Sequence, residues 1–274
     1  MSANFPEIDR RAVRRNFGRA AKSYRAASRL EEEIGARMLE RLDYVRIAPR
    51  RILDAGSGPS RESAALLARY KTSDIVALDF SLEILRTMRK RIFRKNPSRV
   101  CAELERLPFG DGGFDLVWSN MSLHWLGEPA AALSEFSRVL APEGLLMFST
   151  LGPDSLKELR AAAGRERVHA FHDMHDIGDM LVASGFAAPV MDMELLTFTY
   201  ASPAALLADL RASGQTSARA DRPRGLAGKR FNARLRSALA ARATFEVVYG
   251  HAWKGKPRAR GKDVKTIDVF KRLP

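Results

Sequence analysis

The sequence predicts an α/β fold: a mostly parallel sheet of seven strands with helices on both faces, an N-terminal helical segment, and a helical insertion before the last strand. Three observations predict it. Short apolar runs alternate with amphipathic helical stretches between residues 51 and 151, the order that builds an open parallel sheet. The first run, Arg51-Ile-Leu-Asp-Ala55, ends in a turn with glycines at 56 and 58 and leads into a helical pattern at Ala64-Ala-Leu-Leu67. The second run, Ile75-Val-Ala-Leu78, ends in Asp79, about twenty residues beyond that turn.

A strand that ends in a glycine turn and opens a helix is expected to bring bare backbone N–H groups up to a ligand, because glycine tolerates both positive φ and close approach. A carboxylate at the end of the second strand can accept both hydroxyls of a ribose. The turn reads Asp54-x-Gly56-x-Gly58-x-Ser60, with an acid inside it. Asp54 would repel a pyrophosphate and suits a cationic ligand.

In chain order, residues 8–47 read as two amphipathic helices, with Val13, Phe17, Ala20, Ala21 and Tyr24 on one stripe and Leu30, Ile34, Met38 and Leu42 on the next. Such a segment is expected to pack across the open edge of the site. Tyr24 ends its stripe with a hydroxyl that could reach a bound carboxylate or sulfonium; core packing with a wet tip is the plainer alternative. The core then runs strand 51–56, helix 60–70, strand 74–79, helix 81–95, strands 98–102 and 114–119, helix 129–140 and strand 144–151. A strand follows at 191–200, helices at 203–212 and 229–242, and a last strand at 244–253, expected antiparallel at the sheet edge beside the fifth. Residues 264–270 suggest a short extra strand. The resulting division is 1–47 lid, 48–200 core, 201–243 basic insertion, and 244–274 last strand and basic tail.

No run of 18 apolar residues exists, so no membrane span is expected, and residues 1–11 lack the apolar block of a secretory signal. The lone cysteine, Cys101, excludes an internal disulfide, fits a reducing, cytoplasmic compartment, and reads as buried filler rather than a nucleophile. His169, His172 and His175, with Asp173 and Asp176 among them, invite a metal reading. The same residues also cap helices, and no metal is expected. The net charge of +14 is uneven: +5 over residues 1–50, −4 over 51–210 and +13 over 211–274. An acidic macromolecular partner would explain that surplus, as would selection for solubility. Nucleic acid is disfavoured, since aromatic residues are scarce among the charges.

The Asp54–Ser60 turn resembles motif I of the class I methyltransferases, which use S-adenosylmethionine (SAM) on a Rossmann-like fold. Ser60 stands where that family usually has a third glycine. Further segments are similar to the BioC-type malonyl-[acyl carrier protein] O-methyltransferases of biotin synthesis: Phe17–Tyr24, Ser119-Asn-Met-Ser-Leu-His-Trp125, Ser149–Arg160, Asp173–Asp179 and Tyr249-Gly-His-Ala-Trp253. The basic extension after Lys254 departs from the usual pattern. The resemblance implies SAM held by Asp54, Gly56, Ser57, Gly58, Asp79, Phe80, Glu103, Leu104, Ser119 and Asn120. It also implies methyl transfer to the free carboxylate of a malonyl thioester, carried by an acidic acyl carrier protein or coenzyme A.

A carboxylate is already nucleophilic at neutral pH, so the site needs positioning groups rather than a general base. Arg160 is the candidate grip for the substrate carboxylate, with Tyr24, His124 and Trp125 lining the cavity; a solvated helix face is the alternative for Arg160. A monomer is expected. Other acceptors stay open on the same frame: a protein arginine (for hydroxylation), a small molecule or RNA, as does a non-catalytic assembly protein.

Overall fold

Strand β1 (Arg51–Ala55) lies inside a single sheet, flanked in parallel by β2 (Asp74–Asp79) and β4 (Phe114–Ser119). This computed structural model describes residues 5–89, 95–223, 225 and 227–255. With β3 (Ser98–Cys101), β5 (Leu140–Leu151), β6 (Phe186–Thr199) and β7 (Arg242–Lys254), the order is β3-β2-β1-β4-β5-β7-β6. Only β7 runs against its neighbours. The expected seven-stranded, mostly parallel sheet is therefore present.

Strand alternation sorts the core into two layers. Ile52, Leu116, Trp118, Leu145 and Met147 point to one face, where α2 (Arg29–Arg41), α3 (Arg61–Arg69), α6 (Lys157–Ala163), α8 (Pro203–Ala212) and α9 (Lys229–Ala238) contribute apolar side chains. Leu53, Val117, Leu146 and Phe148 point to the other, against α5 (Pro129–Val139) and α7 (Met174–Ala183). Each large side chain buried this completely contributes about 1.5–3 kcal/mol.

Helix α1 (Arg10–Ala27) belongs to neither layer. Capped by Asp9, whose Oδ1 accepts the Ala12 N–H at 2.9 Å, it packs Val13, Phe17 and Ala21 on Ile84 of the short helix α4 (Leu82–Arg86) and on Ala218. Residues 212–220 fasten it from above. Ser23 Oγ donates to the Ala212 carbonyl at 2.8 Å, Asn16 Nδ2 to that of Thr216 at 3.2 Å, and the Asp9 N–H to that of Ala218 at 2.7 Å.

Several expectations are corrected. β7 is interior, not an edge: residues Ala243–Tyr249 are buried throughout, and β6, with its alternately exposed side chains, takes the edge. The turn expected before the fifth strand is a bulge inside β5, since Leu140 pairs with Phe114 and Leu145 with Leu116. α2 packs its apolar face on the sheet and turns Glu31 and Glu32 toward the hollow beside the site, so of the two N-terminal helices only α1 lies across the main cavity. Cys101, at the end of the outermost strand β3, is exposed. The helix expected at 81–95 is shorter, ending at Arg86 with Thr87 as its cap, while residues 90–94, the suggested strand at 264–270 and the tail from 256 lie outside the described residues. Among the described residues no helix is long and apolar enough to cross a membrane.

Candidate active site

At the carboxyl ends of β1, β2 and β4, beneath α1, is a cavity of about 220 Å³. Its floor is the turn after β1, where Gly56 and Gly58 take φ of +80° and +53°. A Cβ on Gly56 would stand 2.6 Å from Ser122 Cβ. Ser60, at φ +65°, holds a left-handed conformation usual for glycine, which is why the related pattern has glycine there.

The N–H groups of this turn are not bare. Those of Gly56 and Ser57 donate to the Leu78 carbonyl at 2.8 and 2.9 Å, and that of Gly58 to Asp79 Oδ2 at 3.0 Å. The turn therefore binds β1 to the end of β2 and fixes Asp79, whose Oδ1 also accepts the Ser81 N–H at 2.8 Å. Burial raises the Asp79 carboxyl to about 6. Asp79 lines the cavity together with Phe80, Glu103 and Leu104.

Beside the cavity, and sharing Tyr24, Gly56, Gly58 and Asn120 with it as lining, is a polar hollow lined by Glu31, Asp54, Ser57 and Glu62. Burial pushes Glu31 to about 7 and Asp54 to about 8, and raises Glu62 as well. Asp54 accepts a short hydrogen bond from Ser63 Oγ, and Glu31 Oε1 accepts from Gln215 Nε2 at 2.7 Å. Glu31 Oε2 and Ser57 Oγ are buried with no partner among the described residues. Among the described residues Arg61 is the only cation lining the hollow, and it is held by Glu32 at 2.7 Å and the Arg25 carbonyl at 2.6 Å. A desolvated carboxylate cluster with an unused oxygen is arranged for a cation.

The side chains of Ser119 and Asn120 serve the frame. Ser119 Oγ donates to the Ala55 carbonyl at 3.0 Å and so accepts from Ser122 Oγ at 2.5 Å; its side chain is not among those lining the cavity. Asn120 Nδ2 donates to the Glu31 carbonyl at 2.8 Å and to Glu62 Oε1 at 3.2 Å, while its Oδ1 accepts from Ser149 Oγ. The next residue, Met121, sits at φ +55° on the cavity wall, a strained placement of the kind that gathers at functional sites.

Tyr24 and Trp125 both line the cavity, bridged by Phe17 at ring distances of 5.9 and 5.1 Å. Burial and the neighbouring Glu31 and Glu62 hold the Tyr24 phenol well above its usual range, so it is a proton donor at neutral pH. His124 is not on the cavity. Its ring packs behind Trp125 at 5.2 Å, and burial lowers it to about 3, so it is neutral support. Arg160 is also elsewhere. Its guanidinium donates to the carbonyls of Pro153 at 2.8 Å and Ser155 at 2.9 Å, bracing the turn after β5; its expected grip on a substrate carboxylate is corrected accordingly.

The histidine cluster disperses. Asp173 caps α7 and holds His175 Nδ1 at 2.7 Å, His172 stacks on Phe5, and His169 accepts the Ala218 N–H at 3.0 Å. Cavity residues not anticipated as site residues include Arg10, Arg11, Arg14 and Phe17 on α1, with Met121 and Ser122 after β4. The arginines carried a usable signal, since 10 and 14 are one helical turn apart on the face that continues to Phe17 and Tyr24. Glu31 and Glu62 had none, because their convergence on Asp54 depends on how α2 and α3 pack.

Residues 53–148 match the methyltransferase domain family. A malonyl-[acyl-carrier protein] O-methyltransferase of Methylovorus sp. (strain MP688) is 46% identical over 95% of this chain and 93% of its own. Another, from Laribacter hongkongensis, is 47% identical over 96% of each. Among solved structures, a putative methyltransferase from Bacillus halodurans superposes with a TM-score of 0.60 at 18% identity, covering 81% of this chain and 99% of that one, a likeness of fold. With its glycine turn, the buried Asp79 carboxylate and an acidic hollow in that sheet, and with near-full-length relatives of this one name, the chain belongs to the malonyl-[acyl-carrier protein] O-methyltransferase family.

Proposed function

We infer that the protein methylates the free carboxylate of a malonyl thioester on an acyl carrier protein, using SAM, an early step toward the pimeloyl chain of biotin. The carboxylate-lined hollow beside the cavity is the observation that carries the cofactor reading. SAM has a cationic amino-acid end, a ribose and an adenine. Glu31, Asp54 and Glu62 would hold the cationic end, Asp79 the ribose hydroxyls, and Phe80, Glu103 and Leu104 the base, with Gly56, Ser57 and Gly58 shaping the floor. The unused Glu31 Oε2 and Ser57 Oγ fit that occupant. When bound, SAM supplies an electrophilic methyl group on a sulfonium.

The chain's own residues then have a positional task. Tyr24, protonated and reaching both the cavity and the hollow, donates to the acceptor carboxylate and orients one oxygen. Phe17 and Trp125, stiffened by His124, exclude water; no side chain needs to remove a proton. Alignment of this kind is worth up to roughly 7–11 kcal/mol in well-oriented systems. Helix α1 and residues 201–243 close the site as lid and cap. The lone Cys101 and a carrier-linked substrate agree with a cytoplasmic location.

The test is incubation with methyl-labelled SAM and malonyl-acyl carrier protein, malonyl-coenzyme A or RNA. Label should enter a base-labile methyl ester on the carrier-linked malonyl group, and the gene should rescue a biotin-requiring strain lacking its own malonyl methyltransferase. Label in RNA, or none in the malonyl substrates, would end this reading.

A further inference from the structure

A second cavity, of about 240 Å³, lies between α6, α8 and α9 and takes no part in the site described above. Its walls are largely apolar, with Leu159, Leu207, Leu210, Phe231 and Leu235, and carry polar groups at Thr216, Ser217 and Asn232. Its inner end is one side chain away from the active site at two points. Gln215, which lines it, donates to Glu31 of the acidic hollow at 2.7 Å. His169, which also lines it, packs its ring 4.8 Å from Trp125 of the main cavity.

The outer rim is cationic. Arg167 and Arg211 line it, the Arg167 guanidinium lying 4.2 Å over the Phe231 ring with Glu166 4.0 Å from its Nε. Helix α9 beside it exposes Lys229, Arg230, Arg234 and Arg236 while burying Leu235. An apolar passage with guanidiniums at its mouth and a basic helix beside it complements a slender amide chain ending in a phosphate on an acidic protein. Acyl carriers present their thioesters on an arm of that chemistry.

We propose that this cavity is the channel by which the carrier's phosphate-ended arm enters, with Arg167 and Arg211 meeting the phosphate and Gln215 and His169 forming the inner gate. The inference rests on the carrier-linked reading above and adds the route. The acceptor reaches Tyr24 from the α6–α8–α9 side while SAM occupies the cavity under α1, so the two ligands do not share an entrance.

The full chain with Leu207→Trp, a half-buried wall position, tests the route. Its kcat/KM on malonyl-acyl carrier protein should fall about a hundredfold while its calorimetric affinity for SAM and its melting temperature stay at wild-type values. Arg211→Glu, on an exposed rim residue, should raise KM for the carrier-linked substrate about tenfold or more, and raise it less for a short malonyl thioester without a phosphate. A folded Leu207→Trp protein with wild-type turnover of the carrier substrate would overturn the channel, as would equal losses on both substrates for Arg211→Glu. Failure of the wild-type protein to methylate any malonyl thioester, with SAM binding intact, would instead remove the reading beneath it.

Discussion

Arg14 Nη2 of α1 meets Glu103 Oε1, just after β3, at 2.5 Å, and Arg10 repeats the contact with Glu105 at 2.7 Å one helical turn earlier. Helix α1 is thus latched to the loop after β3 that walls one end of the cavity. Arg14 and Glu103 are 58% and 41% exposed, so the pair is worth at most about 1 kcal/mol. Arg14→Ala should leave global stability nearly unchanged while speeding hydrogen exchange through residues 10–27. Unaltered exchange there would show that apolar packing alone seats the helix.

The turn predicts unequal glycines. Gly56→Ala brings Cβ against Ser122 in a positive-φ conformation and should reduce SAM affinity at least tenfold; Gly56→Val should abolish it. A Cβ at Gly58 would meet Tyr24 only at 3.5 Å, so Gly58→Ala costs about 1–2 kcal/mol of backbone strain. Ser60→Gly should raise the melting temperature or leave it unchanged. Equal effects at 56 and 58 in thermal shift with SAM would contradict this account.

Asp79→Ala removes the acceptor for two backbone N–H groups and, on the function proposed above, for the ribose hydroxyls. Charge-assisted bonds of roughly 1.5–3 kcal/mol correspond to about 10–150-fold in SAM affinity. Calorimetry showing unchanged affinity would discard the ribose assignment.

The acidic hollow predicts a pH dependence. Asp54 and Glu31 titrate at about 8 and about 7 in the fold, above their unburied 3.8 and 4.5. A raised acid stabilises the fold fully below its unfolded pKa, and that contribution is lost as pH climbs through the folded one. His124 and His169, lowered to about 3 and about 4, act oppositely but only below 6.5. Between pH 6.5 and 8 the ligand-free protein should therefore lose stability, by at most about 1.4 kcal/mol per pH unit for each titrating group. Denaturant titrations of the wild type and Asp54→Asn check this: the variant should be flatter, and a wild-type stability that does not change over this range would mean the carboxylates are ionised throughout.

The basic helix predicts substrate-selective damage. Arg230, Arg234 and Arg236 are exposed on α9, so reversing all three to Glu should spare the fold. Turnover of malonyl-acyl carrier protein should fall at least tenfold at low salt and less for a short malonyl thioester. Matching losses would leave solubility as the reason for the charge.

By itself the sequence determined the strand-turn-helix at 51–69, the carboxylate at 79, the alternation of strands and helices, and the family. These are local features, in which periodicity, a glycine turn and a strand end lie within one stretch of chain. The fates of the site residues were a tertiary matter. Arg160 and His124 had the right chemistry in the right segments, yet one turned to backbone carbonyls and the other packed behind Trp125, because a side chain's direction depends on what the neighbouring element leaves unpaired. Glu31, Glu62 and Gln215 are far apart in sequence and meet only where α2, α3 and the insertion converge on Asp54. β7 likewise looked like an edge until β6 paired outside it. Long-range packing decides these questions, since it sets which polar groups are desolvated together and which strand is left to face water.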